Sequence, residues 1–392
     1  MRSYRKTAAS DFDDLVDRTE TDSVKWDRYV GTDIIPMWLA DMDFKTPAPI
    51  LNAIRLNASE SAIGYGSVPA ELVEIIRARL QRLYNWNVEA RDIYFVPQVV
   101  PALNMACRAF VGSGEAVLTT IPNYPPMLQV AGNWQRELHK IPISPVRGEW
   151  LYPLDLLATA LEANPQIKLL LLCNPYNPIG RVLNEEELSG IVALCAAYDV
   201  VICSDEIHSE ILYDARTHLP TAMANAAAKD ITITLLAPSK TFNMAGVVGA
   251  FAVIQNEVLR DRYIAAGKGI MPEISSLSFS GMHAAYRDCD DWKNNLIEYL
   301  EGNKDYMLAR IDKIPGLEMN RVEATYLAWL DVSELELDDD VGFFESAGVG
   351  LSAGIDFDGP GYLRLNFACP RETLRHACDR IERAVLQSCS NN

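Results

Sequence analysis

Three runs of apolar residues, each followed by polar residues, place the strongest constraint on how this chain can fold. They cover residues 167–173, 200–203 and 231–236. Between the first two, Asn184 and Glu187 have the spacing of a helix capping box, and apolar residues then recur at helical spacing. Continuous apolar strands that alternate with helices are typical of a parallel sheet covered on both faces. The sequence therefore predicts an α/β fold with a mostly parallel sheet.

Composition narrows the possible functions. The 392 residues are 49% hydrophobic, which suffices for a large core in two domains or in one large and one small domain. The net charge of -18 argues against nucleic acid or an anionic membrane as a partner. No apolar run approaches the ~20 residues of a membrane span, and no signal core follows the basic first residues. The 8 Cys and 5 His form no metal-ligand spacing, so we expect a soluble, cytoplasmic protein with reduced thiols and no metal.

The polar residues after the three runs are Asn177, Asp205 and Lys240. In a parallel sheet the carboxyl ends of the strands meet at the ligand-binding edge. A buried Asp needs a cation or a ligand, whereas a partly buried lysine has a lowered pKa that suits Schiff-base chemistry. Lys240 alone could equally be a solvated loop residue. Together the three side chains favour pyridoxal phosphate, with Lys240 on its aldehyde, Asp205 on its ring nitrogen and Asn177 on its ring hydroxyl.

Two further features fit the same cofactor. Tyr124 stands in a proline-rich loop after a predicted strand, where its ring could stack on the cofactor. Pro101 is predicted as the first residue of a helix over 101–110. The backbone N–H groups near Val99 and Val100, at the start of that helix, would form an anion site for the phosphate.

Two segments allow more than one interpretation. Residues 36–44, which include Asp41 and Asp43, predict an extended arm that either packs on the core or lines a pocket. Tyr65 lies between two glycines. This placement suits contact with a ligand or a neighbouring subunit, but a plain turn has the same spacing.

Six stretches resemble the fold-type I pyridoxal-phosphate enzymes of the aminotransferase class I/II superfamily, and more closely the C–S lyases of the cystathionine β-lyase type. They are PMWLADMDF at 36–44, NPYNPIG at 174–180, SDEIH at 204–208, APSKTFNMAG at 237–246, TYLAWLD at 325–331 and RLNF at 364–367. The resemblance implies an N-terminal arm joining the small domain over 1–46, a large cofactor-binding domain over 47–284 and a small α+β domain over 285–392. It also implies a homodimer with the active site at the subunit interface.

The resemblance implies roles for individual residues. Lys240 would also be the base that removes the substrate Cα proton, and His208 would lie near the ring hydroxyl. Ser239 would help to hold the phosphate, joined by Tyr65 of the partner subunit.

The substrate side of the site is implied in the same way. Arg364 would bind the substrate carboxylate through two parallel hydrogen bonds, although a surface strand residue is the alternative interpretation. Ala40 and Asp41 would contact the substrate.

Several positions depart from the family pattern. Val248 stands eight residues after the lysine, where aminotransferases of the superfamily usually have an arginine, and this favours the lyases. Gln98 replaces a frequent glycine in the phosphate loop. Asn123, Met127 and residues 323–325 also differ, and we expect them near the substrate mouth.

The sequence thus predicts a pyridoxal-phosphate C–S lyase. It would catalyse α,β-elimination on L-cysteine S-conjugates such as cystathionine and produce a thiol, pyruvate and ammonia. One alternative is an aminotransferase, and another is a biosynthetic relative that acts on a bulky S-conjugate with an altered outcome such as decarboxylation. A regulatory or binding protein that uses the fold without turnover is the alternative from another class.

Overall fold

The computed structural model describes residues 12–60, 62–146 and 148–391. The strands in these ranges are β1 (Ile35–Pro36), β2 (Ile93–Val96), β3 (Ala116–Ile121), β4 (Glu137–Pro142), β5 (Pro145–Val146), β6 (Glu149–Trp150), β7 (Ile167–Cys173), β8 (Val201–Asp205), β9 (Thr232–Leu236), β10 (Ala250–Val253), β11 (Glu318–Met319), β12 (Leu327–Asp331), β13 (Val349–Gly350), β14 (Ser352–Ala353) and β15 (Tyr362–Asn366).

The helices are α1 (Val24–Asp27), α2 (Ala48–Glu60), α3 (Ala70–Tyr84), α4 (Val99–Phe110), α5 (Pro125–Asn133), α6 (Leu154–Ala163), α7 (Glu185–Ala197), α8 (Ala228–Ile231), α9 (Glu257–Gly267), α10 (Ser276–Asp288), α11 (Asp290–Ile311), α12 (Asp340–Ser346) and α13 (Arg371–Asn391). None of these helices combines the length and the apolar character that a membrane crossing requires.

Seven strands form the large sheet, in the order β2-β10-β9-β8-β7-β3-β4. The five strands from β9 to β4 are parallel, while β10 runs antiparallel to both of its neighbours. The predicted α/β fold with a mostly parallel sheet is therefore confirmed. The three strands that the apolar runs predicted lie side by side, so their carboxyl ends share one edge.

Strand β7 shows why these runs are largely apolar. Leu169 and Leu171 pack into the cluster that includes α4, whereas Leu170 and Leu172 pack into the opposite cluster that includes α7. All four side chains are fully buried. Because helices cover both faces of the sheet, neither face tolerates the alternating polar residues of a half-exposed strand.

A second, four-stranded antiparallel sheet has the order β11-β12-β15-β14. The N-terminal arm reaches this part of the molecule, since β1 pairs in parallel with β13 through Ile35 and Val349. The backbone of the arm then continues without regular structure to the start of α2, as expected for an extended segment.

Helix α4 begins earlier than the sequence predicted. Its first residue is Val99, which makes Pro101 the third helical residue. Gln98 precedes the helix with extended backbone angles of φ -157° and ψ 165°. Proline fits anywhere in the first turn, because the N–H that it lacks would have no partner within the helix. The anion site predicted at Val99 and Val100 therefore coincides with the first two residues of the helix.

Candidate active site

The carboxyl ends of β7, β8 and β9 open into a cleft with an empty volume of about 620 Å³. The structure brings six of the predicted site residues to the wall of this cleft: Val99, Val100, Tyr124, Asp205, Ser239 and Lys240. The cleft thus lies where β-strand topology predicts a ligand site, at the edge that the polar residues after the strands share.

The amine of Lys240 donates a hydrogen bond to the carbonyl oxygen of Ala40 in the arm, at 2.6 Å. Burial of the amine, aided by the positive charge of Arg364, lowers the Lys240 pKa to about 8 against the opposing effects of Asp41 and Asp205. An amine with this pKa is partly neutral near physiological pH, whereas an ordinary lysine is almost fully protonated. It is therefore able to form a Schiff base and to accept a proton.

Asp205 is the last residue of β8 and is buried. Burial raises the pKa of its carboxyl to about 7, although a hydrogen bond from the Ile207 N–H and the charge of Lys240 act in the other direction. No lysine or arginine among the described residues forms an ion pair with it. A buried acid in this state gains stability from any cation that enters the cleft.

Arg364 carries a buried positive charge at the same site. It lies buried in β15, where it donates to Asn177 Oδ1 at 3.1 Å and to the Trp38 carbonyl oxygen at 2.9 Å. Its guanidinium also stacks 4.7 Å from the centre of the Phe357 ring. Burial lowers the pKa of Arg364 to about 10, so it stays charged. No carboxylate of the described chain pairs with it, which leaves the fork available for an anion.

The main chain of the arm is held by side chains from around the site. The Tyr326 hydroxyl donates to the same Ala40 oxygen that accepts from Lys240, at 3.1 Å. The Asn366 amide donates to the carbonyl oxygens of Leu39 at 2.7 Å and Asp41 at 2.6 Å. Sequence reasoning did not single out Tyr326 or Asn366, although both lie in stretches that carry the family resemblance.

Asp41 faces the N-terminal segment through its side chain. Its carboxylate accepts a hydrogen bond from Arg18 at 2.8 Å, and Lys25 lies 3.8 Å away. Of the two predicted substrate contacts in the arm, Ala40 therefore reaches the cleft through its carbonyl oxygen, while Asp41 acts on Lys240 through its charge.

Tyr124 lies at the start of α5 and lines the cleft. Its backbone N–H donates to Asn123 Oδ1 at 2.8 Å, and the Asn123 amide donates to Thr119 Oγ1 at 3.0 Å. Burial raises the pKa of the Tyr124 phenol, which is therefore neutral. Asn123 thus fixes the loop that presents the ring.

Asn123, Met127 and residues 323–325, which we expected near the substrate mouth, do not line the cleft. Asn123 and Met127 are fully buried. Glu323 pairs with Arg216 at 2.7 Å, and Ala324 forms a β-bridge with Leu212. The departures from the family pattern at these positions therefore lie outside the wall of the cleft.

His208 and Tyr65 complete the predicted set. His208 is buried against the ring of Tyr326, with 5.6 Å between ring centres. Burial and the nearby charges of Lys240 and Arg364 hold its pKa well below the ordinary value. Tyr65 is 98% exposed and does not line the cleft of its own protomer. Its predicted contact with a partner subunit stays a prediction.

The chemistry of this set fits pyridoxal phosphate. Asp205 is a buried acid without an ion-pair partner among the described residues, as a protonated ring nitrogen requires, and Lys240 is an amine with a lowered pKa for the aldehyde. Free N–H groups at the start of α4 and the Ser239 hydroxyl line the far wall of the cleft. Val248 lines the cleft as well, so a hydrophobic side chain occupies the position that suggested a lyase.

Comparison with known proteins identifies the family. The model for aminotransferase class I and II matches residues 35–381. The cystathionine beta-lyase PatB of Bacillus subtilis is 32% identical over 385 residues, which are 95% of this chain and 99% of PatB. The chain belongs to the aminotransferase class I and II family.

Solved structures agree with this assignment. The crystal structure of OvoB shares 34% identity and a TM-score of 0.92, covering 95% of this chain and 98% of OvoB. The pyridoxal-phosphate-bound C–S lyase of Staphylococcus hominis shares 30% identity and a TM-score of 0.90, with 96% and 98% covered. The predicted fold-type I architecture, the dependence on pyridoxal phosphate and the resemblance to C–S lyases of the cystathionine β-lyase type are confirmed.

Proposed function

We propose that this C–S lyase acts on L-cysteine S-conjugates such as cystathionine and catalyses α,β-elimination to a thiol, pyruvate and ammonia. The observation that carries the proposal is the environment of Lys240. Its pKa of about 8 leaves the amine partly neutral, and the amine lies within electrostatic range of Arg364 and Asp205, two buried groups of opposite charge. An amino-acid substrate supplies a carboxylate for Arg364, and the cofactor supplies a ring nitrogen for Asp205.

Each residue would contribute a distinct part of the reaction. Arg364 would bind the α-carboxylate, and Asn177 would hold both the guanidinium and the ring hydroxyl. Lys240 would accept the Cα proton. Bound pyridoxal phosphate supplies an electron sink for the carbon that loses this proton. General base catalysis of this kind typically contributes ~10²–10⁴-fold to the rate.

The elimination balances without an oxidant or a reductant. The Cα–H and Cβ–S bonds break, the proton passes to the lysine amine, and sulfur leaves as a thiolate with the bonding electron pair. The 2-aminoacrylate that is released takes up water and yields pyruvate and ammonia. The names of the relatives PatB and the S. hominis C–S lyase support this outcome over amino transfer. The hydrophobic residue at Val248 supports it independently.

The test separates a lyase from an aminotransferase. The purified holoenzyme is mixed with cystathionine without any keto acid, and pyruvate and free thiol are measured over time. We expect many turnovers with equal amounts of the two products. An enzyme that stops after one turnover and resumes only when a keto acid is added is an aminotransferase, and this result would refute the proposal.

The nature of the natural substrate needs a second measurement. A panel of S-conjugates with increasing bulk on sulfur is compared by kcat/KM, and the products are identified by mass spectrometry. A product that has lost carbon dioxide, or a strong preference for a bulky conjugate with no turnover of cystathionine, would favour the biosynthetic alternative.

A further inference from the structure

Glu206 is a buried acid that the proposed mechanism does not use. It follows Asp205 directly and its backbone N–H bonds to Leu235, so the chain is still extended at this point. Successive side chains of an extended chain point to opposite sides. Asp205 accordingly lines the cleft, whereas Glu206 points away from it and is fully buried.

Three groups bind the Glu206 carboxylate. The Ser204 hydroxyl donates to Oε1 at 2.8 Å and the backbone N–H of Thr221 donates to the same oxygen at 3.0 Å. The other oxygen, Oε2, lies 2.7 Å from Nε2 of His218, and both side chains of this pair are fully buried. A carboxylate that accepts this many hydrogen bonds is stabilised in its ionised form.

The second ring nitrogen of His218 determines the charge of the pair. Nδ1 is buried and has no hydrogen-bond partner among the described residues. In a protonated imidazole this nitrogen would carry a buried N–H without an acceptor. Burying that N–H costs more free energy than burying the unpaired lone pair that the same nitrogen has in the neutral ring. The neutral tautomer with its proton on Nε2 satisfies the carboxylate, so the pair carries one net negative charge.

The other groups nearby do not neutralise this charge. Tyr84 faces the pair from α3, and burial raises its pKa well above the ordinary value. The titratable groups that interact with Asp205 are Glu206, Lys240, Tyr124, Cys173 and Cys203. Burial raises the pKa of the phenol and of both thiols, which leaves Lys240 as the one basic group in this set.

We propose that Glu206, kept ionised by Ser204, Thr221 and neutral His218, acts through Asp205 to favour the protonated form of the cofactor ring nitrogen. Two adjacent buried carboxylates repel each other, and a cation at the ring position relieves that repulsion. Glu206 is in this sense a positioning residue, because it touches neither substrate nor cofactor. The inference depends on the bound cofactor and not on the reaction that the enzyme catalyses.

The experiment uses the holoenzyme and reads the cofactor itself. The protonation of the cofactor ring nitrogen is titrated with pH by ¹⁵N NMR of labelled pyridoxal phosphate bound to the enzyme, and the Kd of pyridoxal phosphate is measured by fluorescence. In Glu206→Gln, loss of the negative charge should shift the titration midpoint to lower pH by about one unit and weaken cofactor binding about tenfold. The matched control is Glu187→Gln, which removes a buried carboxylate that pairs with Arg181 away from the cleft.

The two variants distinguish an electrostatic role from a structural one. Both should lose stability, since each removes a buried, fully bonded acid. If the midpoint and the Kd of Glu206→Gln equal those of Glu187→Gln, the proposal is wrong. These readouts do not involve a substrate, so an error in the assigned reaction would leave them unchanged.

A third variant tests the charge of the pair directly and covers the case in which Glu206→Gln does not fold. His218→Gln keeps an N–H donor for the carboxylate but cannot be protonated. A midpoint within about 0.2 units of the wild type is expected if the ring is neutral. A clear shift to higher pH would mean that His218 is a cation in the native protein, and the net charge on which the proposal rests would not exist.

Discussion

The Lys240 amine donates a hydrogen bond of 2.6 Å to the carbonyl oxygen of Ala40, a residue 200 positions earlier in the chain. Tyr326, the residue before β12, donates to the same oxygen at 3.1 Å. The carbonyl thus joins the arm, the lysine loop and the segment that leads into β12 at one point. A backbone acceptor carries no net charge, so it orients the amine without raising its proton affinity as a carboxylate would.

Replacement of the lysine tests the central assignment. Lys240→Ala should lose the visible absorption band of the bound cofactor and at least ~10²–10⁴-fold in kcat, because both the Schiff base and the proton acceptor disappear. Spectra and pyruvate release check this. Lys45→Ala removes an exposed lysine that pairs with Asp14 and should behave as the wild type. A visible band in Lys240→Ala would show that another amine binds the cofactor.

The lowered lysine pKa predicts the pH dependence of cofactor uptake. Only the neutral amine reacts with the aldehyde, so the rate at which cofactor-free protein takes up pyridoxal phosphate should rise with pH. The midpoint should lie at about 8, in place of the ordinary 10.5. Stopped-flow absorbance measures the rate. A rate that still increases steeply up to pH 10 would show that burial does not depress this pKa.

The raised Asp205 pKa predicts how stability changes with pH. The folded, cofactor-free protein binds a proton at Asp205 up to about pH 7, whereas the unfolded chain releases it near the ordinary value of 3.8. The free energy of unfolding should therefore fall as pH rises through this window. Asp205→Asn removes this loss and should stabilise the cofactor-free protein by roughly 2–4 kcal/mol at pH 8.

Urea denaturation across pH 4–8 measures the effect of Asp205→Asn. The exposed Asp312→Asn serves as its control, with little change expected. The same Asp205 variant should bind pyridoxal phosphate more weakly, since the ring nitrogen loses its anion. An Asp205→Asn protein that is less stable than the wild type at pH 8 would contradict the interpretation of a strained, unpaired acid.

Arg364 should determine substrate affinity. Arg364→Lys keeps a positive charge but loses the planar fork and the contact with Asn177. We expect KM for cystathionine to rise about 10–100-fold, as a charge-assisted pair loses one or both of its hydrogen bonds. The cofactor spectrum should be retained. Arg77→Lys, at a half-buried helix position where the arginine pairs with Glu74, is the control, and an unchanged KM in Arg364→Lys would remove Arg364 from the substrate site.

The predicted contribution of Tyr65 to a neighbouring active site can be tested by mixing two inactive variants. If Tyr65 serves the partner subunit, mixed dimers of Tyr65→Ala and Lys240→Ala contain one intact site. Random exchange of subunits should then restore about a quarter of the wild-type activity. If Tyr65 serves its own protomer, or if the protein is a monomer, mixing restores nothing. Light scattering on the same samples reports the oligomeric state.

The sequence predicted the parts of the molecule that local patterns determine. The strand over residues 167–173 has the predicted ends, because every residue in it except Lys168 is apolar and a polar turn follows. The capping box of Asn184 and Glu187 is present with both of its hydrogen bonds. The polar side chains after neighbouring strands meet at one edge as parallel topology requires.

Contacts between distant segments were beyond these patterns. The pairing of Ile35 with Val349 joins two strands of two residues each, which have no periodicity to detect. Met127 departs from the family pattern, and we expected it near the substrate because it follows Tyr124 closely in the sequence. Helix α5 instead turns its side chain into the core. The hydrogen bond from Lys240 is accepted by the main-chain oxygen of Ala40. Because every residue has this oxygen, no residue type in the sequence indicates the bond.

Main-chain hydrogen bonds in the arm affect how this site can change. Trp38, Leu39, Ala40 and Asp41 all present carbonyl oxygens to side chains around the cleft. Every amino acid has a main-chain carbonyl. Substitutions in this segment therefore alter the shape and charge beside the substrate but keep the hydrogen bonds that orient the lysine. The arm is therefore the region where libraries of variants should change the accepted S-conjugate with the least loss of cofactor binding.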